Sequence, residues 1–257
     1  MESATDGLHV VVLAAGRGSR MRGLGDDTAK WLLQVGRRRI ADRQVEAVRS
    51  VEQRHGLAGV SVVTGHAAEG VREFAREQGV AVVHNERYLE ANNWFSVLLA
   101  LDSLPADSRV VVMNGDLCAR PEWLAAFLDA AATTSSDSLM AVDFARTLTD
   151  ESMKVAAAPG PDGQRVLTRI GKVDVPDPVG EYVGLLMFGG PVRKALTEQL
   201  RAFDGSPAHL NEWYEGAVGR TAAAGTPWTL WATPDSEWFE IDDERDHAAA
   251  VALLGES

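Results

Sequence analysis

Leu8-His9-Val10-Val11-Val12-Leu13-Ala14-Ala15-Gly16-Arg17-Gly18-Ser19-Arg20-Met21 is the stretch on which the fold turns. Its first eight residues are a continuous apolar, β-branched run, the pattern of a strand buried on both faces in a parallel sheet. The run stops at Gly16. Glycines two apart then allow a sharp backbone turn that presents N–H groups to an anion.

The residues downstream repeat the theme. Helical periodicity runs from Ile40 to about Arg54, followed by a second buried strand, Gly59–Thr64. Ala67–Gln78 reads as a helix closed by Gly79, Val80–His84 as a third strand and Asn93–Leu104 as a helix. Arg109–Asn114 is a fourth strand ending at Gly115-Asp116, and Pro121 opens a helix continued by Glu122–Ala132. This alternation predicts an α/β fold, Rossmann-like, with helices on both faces of a mostly parallel sheet. Past Ser135 the rhythm changes. Leu139–Phe144, Met153–Ala157, Val166–Ile170 and Tyr182–Phe188 follow one another without helices between them, and are read as antiparallel strands that extend the sheet and wall an acceptor pocket. Pro191–Phe203, Asn211–Ala224 and Asp243–Leu254 are read as helices, with Trp228–Ala232 a strand. No repeat or Ser/Gly-rich linker divides the chain. One domain over 1–257 is expected, about 1–135 its nucleotide half and about 136–257 its acceptor half.

The bulk numbers narrow the partners. Lysine and arginine total 25 against 37 acids, a net charge of −12, so a nucleic-acid backbone would be repelled. No apolar run approaches the roughly 18 residues of a membrane span. Cys118 is the single cysteine, and a reduced, cytoplasmic setting is the default expectation. A homodimer is compatible with these numbers.

Against that acidic background the cations Arg17, Arg20 and Lys30 gather around the glycine loop. The loop lacks the Gly-Lys-Ser/Thr of a Walker A motif, and Met21 stands where a dinucleotide fingerprint needs its third glycine. The plain alternative is a tight turn with no ligand. The functional reading is a triphosphate cradle, because attack at an α-phosphorus builds negative charge on the departing pyrophosphate and calls for cations there. Asp116 follows a buried strand, where carboxylates face the ligand crevice. Asp242 ends the apolar Trp238-Phe239-Glu240-Ile241 run at the start of the last helix. Two acids from distant strands would give a hard-oxygen site for Mg²⁺, with Asp243 the helix cap.

LAAGRGSRM, then a lysine, then VGRRRIADRQVEAV, resembles the nucleotidyltransferases of the sugar-phosphate pyrophosphorylase superfamily, with Ala29 and Arg39 where that pattern usually carries prolines. Asn85-x-x-Tyr88, Asn92-Asn93-x-x-Ser96, Asn114-Gly115-Asp116, Met153-Lys154-Val155, Gly180-Glu181-Tyr182-Val183-Gly184 and Trp238–Asp242 are most similar to the phosphocholine and phosphonate cytidylyltransferases within it. The resemblance implies Asp116 and Asp242 as magnesium ligands, and Arg20 and Lys30 as phosphate contacts. It places Leu13, Ala14, Ala15, Gly16 and Gly18 with Asn93 and Ser96 at the nucleotide, and Lys154 at the acceptor phosphoryl group. The implied reaction is transfer of a nucleoside monophosphate from an NTP, CTP favoured, to a small phosphorylated or phosphonylated acceptor. Such an acceptor oxygen is already largely ionised at neutral pH and needs no general base. Glu181, Tyr182 and Glu215 are candidate acceptor contacts, Glu181 and Glu215 (with Glu212) able to pair with an ammonium or hydroxyl. The late aromatics Trp213, Tyr214, Trp228, Trp231, Trp238 and Phe239 are candidates for a cation cage or for plain core. A sugar-1-phosphate nucleotidyltransferase and a non-catalytic nucleotide-binding module are the rival readings.

Overall fold

A computed structural model of the protein describes residues 7–18, 28–161 and 163–255. The loop cation Arg20, expected at the phosphates, lies outside these residues.

The apolar opening run forms β1 (Leu8–Ala14). A single 3₁₀ turn at Lys30–Leu32 leads to a small hairpin, β2 (Gln34–Val35) and β3 (Arg38–Arg39), and then to α1 (Ile40–His55), which stops at Gly56. β4 (Gly59–Thr64), α2 (Ala68–Glu77), β5 (Ala81–His84), α3 (Asn93–Asp102) and β6 (Arg109–Asn114) continue the alternation. β7 (Leu117–Ala119) and α4 (Pro121–Thr133) close the first half. The second half holds β8 (Ser138–Asp143), β9 (Lys154–Pro159), β10 (Arg165–Gly171), β11 (Gly180–Phe188), α5 (Gly190–Asp204), α6 (Tyr214–Ala223), β12 (Leu230–Ala232), β13 (Trp238–Glu240) and α7 (Glu244–Leu254).

Nine of these strands make one sheet, ordered β10-β9-β11-β6-β1-β4-β5, with β8 beside β11 and β12 beside β8. β6, β1, β4 and β5 are mutually parallel, and β11, β9 and β10 are antiparallel extensions. The expected architecture is therefore present. β12 departs from the antiparallel theme by pairing parallel to β8.

The core shows why continuous apolar runs were needed. Successive residues of a strand point to opposite faces. Val110 and Val112 of β6, Met140 and Val142 of β8, and Leu186 and Phe188 of β11 pack with α3, α5 and α6 on one face. Val111 and Met113, Leu139 and Ala141, and Leu185 and Met187 pack with α1 and α4 on the other. Both faces are covered by helices, so no strand residue in this middle region can be polar without a partner.

β11 is the hinge of the design. Its first residues, Gly180 and Glu181, pair with β9, and its last, Leu185–Phe188, pair with β6. Between them the register against β8 slips, with Gly184 at φ +81°. A Cβ at Gly184 would lie 2.8 Å from the Asn114 side-chain nitrogen, so only glycine lets β11 pass this close to the end of β6. The crevice opens there.

Candidate active site

The carboxyl ends of β1 and β6 face a cavity of about 270 Å³, the location expected for a ligand in an open α/β sheet. Five groups of residues wall it. Leu13, Ala14, Ala15, Gly16 and Gly18 come from the end of β1 and its loop, and Lys30 and Trp31 from the 3₁₀ turn. Asn85, Tyr88, Asn92, Asn93 and Ser96 come from the approach to α3 and its first turn. Asn114, Gly115, Asp116, Glu240 and Asp242 form the acidic floor, and Glu151, Met153, Lys172, Tyr182, Trp213 and Glu215 the far side.

Gly115 lets the chain turn out of β6. A Cβ there would stand 2.5 Å from the Leu13 carbonyl, too close for any other residue without a backbone shift. The turn is also clamped by a buried amide. Gln44 of α1 donates to the carbonyls of Asn114 (2.9 Å) and Leu117 (2.8 Å), and accepts from the Trp31 indole at 3.0 Å. Thus Gln44 joins the segment that carries Lys30 to the turn that carries Asp116. β13 brings the other acids by pairing antiparallel with β7, Glu240 opposite Leu117, and the Ile241 N–H donates to the Asp116 carbonyl at 3.1 Å. As expected from its place in the sequence, Asp243 caps α7, accepting from the Arg245 and Asp246 N–H groups at 2.8 and 2.9 Å.

Lys30 sits among these acids, its Nζ 2.5 Å from Asp242 Oδ1 and 3.6 Å from Asp116 Oδ2. Burial alone would lower the ammonium's pKa. The charges of Asp116 and Asp242 outweigh burial and hold it above its ordinary value. Burial raises Asp116, with Lys30 pulling it back and Asp242 pushing it up. Glu240, which solvent reaches through the cavity, is pushed up to about 8, first by the protein packed around it and then by Asp116 and Asp242. Carboxylate oxygens of Asp116, Glu240 and Asp242 lie within 4.8 Å of one another. Three hard oxygen donors at such spacing fit a divalent cation of the magnesium type, which takes few protein ligands and completes its shell with phosphate oxygens.

Most of the residues singled out in the sequence line the cavity, but Lys154 and Glu181 do not. They oppose each other across β9 and β11, and strand alternation sends both to the side away from Met153 and Tyr182, which do line it. Lys154 Nζ donates to the Lys172 carbonyl at 2.7 Å, while Glu181 lies 3.6 Å from Arg146. Lys172 occupies the wall instead. Its ammonium is 2.9 Å from Glu151 and 5.5 Å from the centre of the Trp213 ring. Glu240 and Lys172 also line the cavity without standing out in the sequence, Glu240 because a single acid inside an apolar run carries no signal of its own. Most of the late aromatics are core. Tyr214, Trp228 and Trp238 are buried, and Trp231 packs on Phe127. Only Trp213 of that set reaches the cavity.

Residues 10–218 match the model of the MobA-like NTP transferase domain. The chain belongs to that family. A choline-phosphate cytidylyltransferase of Streptococcus pneumoniae is 29% identical over 104 residues, 40% of this chain and 43% of that protein. The bifunctional protein GlmU of Alkalilimnicola ehrlichii is 36% identical over 138 residues, 53% of this chain and 27% of that one. The matched stretches thus span less than half the length of these curated relatives. Among solved structures, the CTP:phosphocholine cytidylyltransferase of S. pneumoniae superposes with a TM-score of 0.72 at 18% identity, covering 96% of this chain and 99% of that one. A UDP-glucose pyrophosphorylase gives 0.74 at 11% identity, covering 97% and 99%. Identities this low establish the shared NTP transferase fold. Among the described residues no helix is long and apolar enough to cross a membrane.

Proposed function

We propose that this NTP transferase-family chain moves a nucleoside monophosphate, CMP by preference, from an NTP to a small phosphonate or phosphate monoester. One observation carries the reading: Lys30 lies between carboxylates delivered by two remote elements, at the mouth of a glycine loop.

Each step then falls to a residue. The loop from Leu13 through Gly18 receives the nucleotide's phosphates on backbone N–H groups, and Asn93 and Ser96 face the nucleoside. Asp116 and Asp242, with Glu240 beside them, would hold Mg²⁺. When bound, the ion supplies Lewis-acid charge to the α-phosphate and a template for the acceptor oxygen. Lys30 would neutralise the triphosphate, and Arg20 is assigned the same task from the loop. The acceptor's phosphoryl oxygen bonds to the α-phosphorus. The bond from that phosphorus to the bridging oxygen breaks, and its electron pair departs with pyrophosphate. Lys172, rather than Lys154, is the cation on the acceptor side, with Tyr182 and Glu215 completing that wall.

The CTP preference rests on the Asn92-Asn93-x-x-Ser96 segment and on the named activity of the cytidylyltransferase relative. The GlmU relatives favour a second reading, a sugar-1-phosphate acceptor. Product mass spectrometry from pooled NTPs with choline phosphate, aminoethyl- and hydroxyethyl-phosphonates and sugar 1-phosphates separates the two. A CDP-linked product from a non-sugar acceptor is expected. Failure of every pair to release pyrophosphate in the presence of magnesium ends the proposal.

A further inference from the structure

The far wall of the cavity contains an unanswered group. Glu215 stands in the first turn of α6 with only 6% of its surface exposed, and its Oε2 is buried without a hydrogen-bond partner among the described residues. The neighbouring cations are engaged elsewhere, Lys30 with Asp242 and Asp116, and Lys172 with Glu151. A buried carboxylate oxygen left without a donor is costly, and native proteins leave few such atoms. Glu215 lines the cavity, and a ligand held there can supply the donor.

The chemistry of that donor is constrained. A trimethylammonium group carries charge but offers no N–H, so it cannot bond to Oε2. A hydroxyl offers one donor and no charge. A primary ammonium offers three donors and cancels the buried negative charge, which no basic side chain among the described residues does. The surroundings point the same way, since Glu215 shares the cavity with Glu151, Asp116, Glu240 and Asp242. Burial pushes Glu215 itself up to about 7, and hydrogen bonding from its own backbone, Asn93 and Tyr214 pulls it back only in part.

We infer that the acceptor is a short aminoalkyl phosphonate or phosphate whose primary ammonium is bonded to Glu215, in contrast to a quaternary choline headgroup. The inference rests on the proposed nucleotidyl transfer and names its acceptor class.

The test compares three acceptors that share one ethylphosphonate and differ only in the headgroup: 2-aminoethyl-, 2-hydroxyethyl- and 2-(trimethylammonio)ethyl-phosphonate. With saturating CTP and Mg²⁺, the aminoethyl compound should exceed the other two in kcat/KM by roughly tenfold or more, the worth of a hydrogen bond to a charged group. In Glu215→Gln, checked for an unchanged melting profile, that advantage over the hydroxyethyl compound should shrink to within about threefold. Equal or better use of the trimethylammonio compound overturns the inference, as does a uniform loss across all three in Glu215→Gln. Turnover confined to sugar phosphates overturns it too while leaving nucleotidyl transfer standing. If no pair turns over, nucleotidyl transfer fails and calorimetry decides the rest: 2-aminoethylphosphonate should bind the intact protein at least tenfold more tightly than it binds Glu215→Gln, and undetectable or equal binding rejects the ammonium site.

Discussion

Asp116 and Asp242 arrive beside one ammonium by unlike routes. Asp116 lies just past the end of β6, the strand at the centre of the sheet, on a turn fixed by the close approach of Gly115 to Leu13 and by the two hydrogen bonds from Gln44. Asp242 follows a three-residue strand, β13, that pairs only with the equally short β7. Its placement depends on side chains. The Asp246 carboxylate accepts from the Asp242 and Asp243 N–H groups, and Asp143 holds the Trp238 indole at 2.9 Å. The first acid is positioned by the backbone of the core, the second by a cap and an indole at the periphery. Damage to the first route should therefore cost stability and activity together. Damage to the second should misplace an acid in a protein that stays folded.

Removing an acid outright gives the largest effect on either route. Asp116→Ala should lower kcat by on the order of 10³-fold or more in a pyrophosphate-release assay, with the melting temperature within a few degrees of the parent. Activity within about tenfold of the parent would take Asp116 out of the site. Breaking the first route without touching an acid comes next. Gln44→Leu strands the carbonyls of Asn114 and Leu117 and the Trp31 indole, and should destabilise the protein by about 3 kcal/mol or more in urea denaturation. An unchanged midpoint would show that the turn does not depend on that amide.

A pH series sharpens the electrostatic side of the comparison. Glu215 and Glu240 have folded-state values of about 7 and about 8, above the ordinary 4.5. The folded state therefore holds protons that the unfolded chain has released, and stability without magnesium should fall as pH rises from about 5 to about 8. The Glu215 share is on the order of 3 kcal/mol, because that side chain is buried. Glu215→Gln should flatten the lower part of the slope and Glu240→Gln the upper part, read as melting temperature against pH. A parent profile that is flat or rises over this range would contradict both shifts. The smallest effect tests the second route. Asp243→Ala removes the α7 cap, which should cost about 1 kcal/mol while lowering kcat through Asp242. A loss of stability with no loss of kcat would separate the cap from the acid.

The same contrast explains what could be read from the chain itself. β1, β4 and β6 announce themselves because a strand covered on both faces must be apolar at every position, and Val10–Val12 and Val110–Val112 satisfy that rule. Asp116 was legible with them, since a carboxylate just after a buried strand has few other places to go. Asp243 was recognisable as a cap from its position before an alternating helix. Glu240 was not legible. Its strand is three residues long, and the β7 partner that turns it toward Asp116 lies about 120 residues away with no periodic pattern of its own. Lys154 and Glu181 lie off the cavity for a different reason. Which face of an antiparallel strand looks into a crevice depends on its register, and the slip around Gly184 in β11 cannot be located from composition. Lys172, on the wall in place of Lys154, follows from the same register.

One hydrogen-bonded network behind the cavity ties three of its lining residues together. The Tyr182 and Tyr214 hydroxyls are 2.7 Å apart, Tyr214 donates to Asn114 at 3.1 Å, and the Tyr214 N–H donates to Asn93 at 2.9 Å. Tyr214, through its phenol and its backbone amide, thus ties together Tyr182, Asn114 and Asn93. Anyone redesigning this scaffold for another acceptor by replacing Tyr182 would strip a partner from Tyr214 and loosen Asn114, next door to Asp116. Selectivity and rate in this fold will have to be engineered as one joint rather than two separate parts.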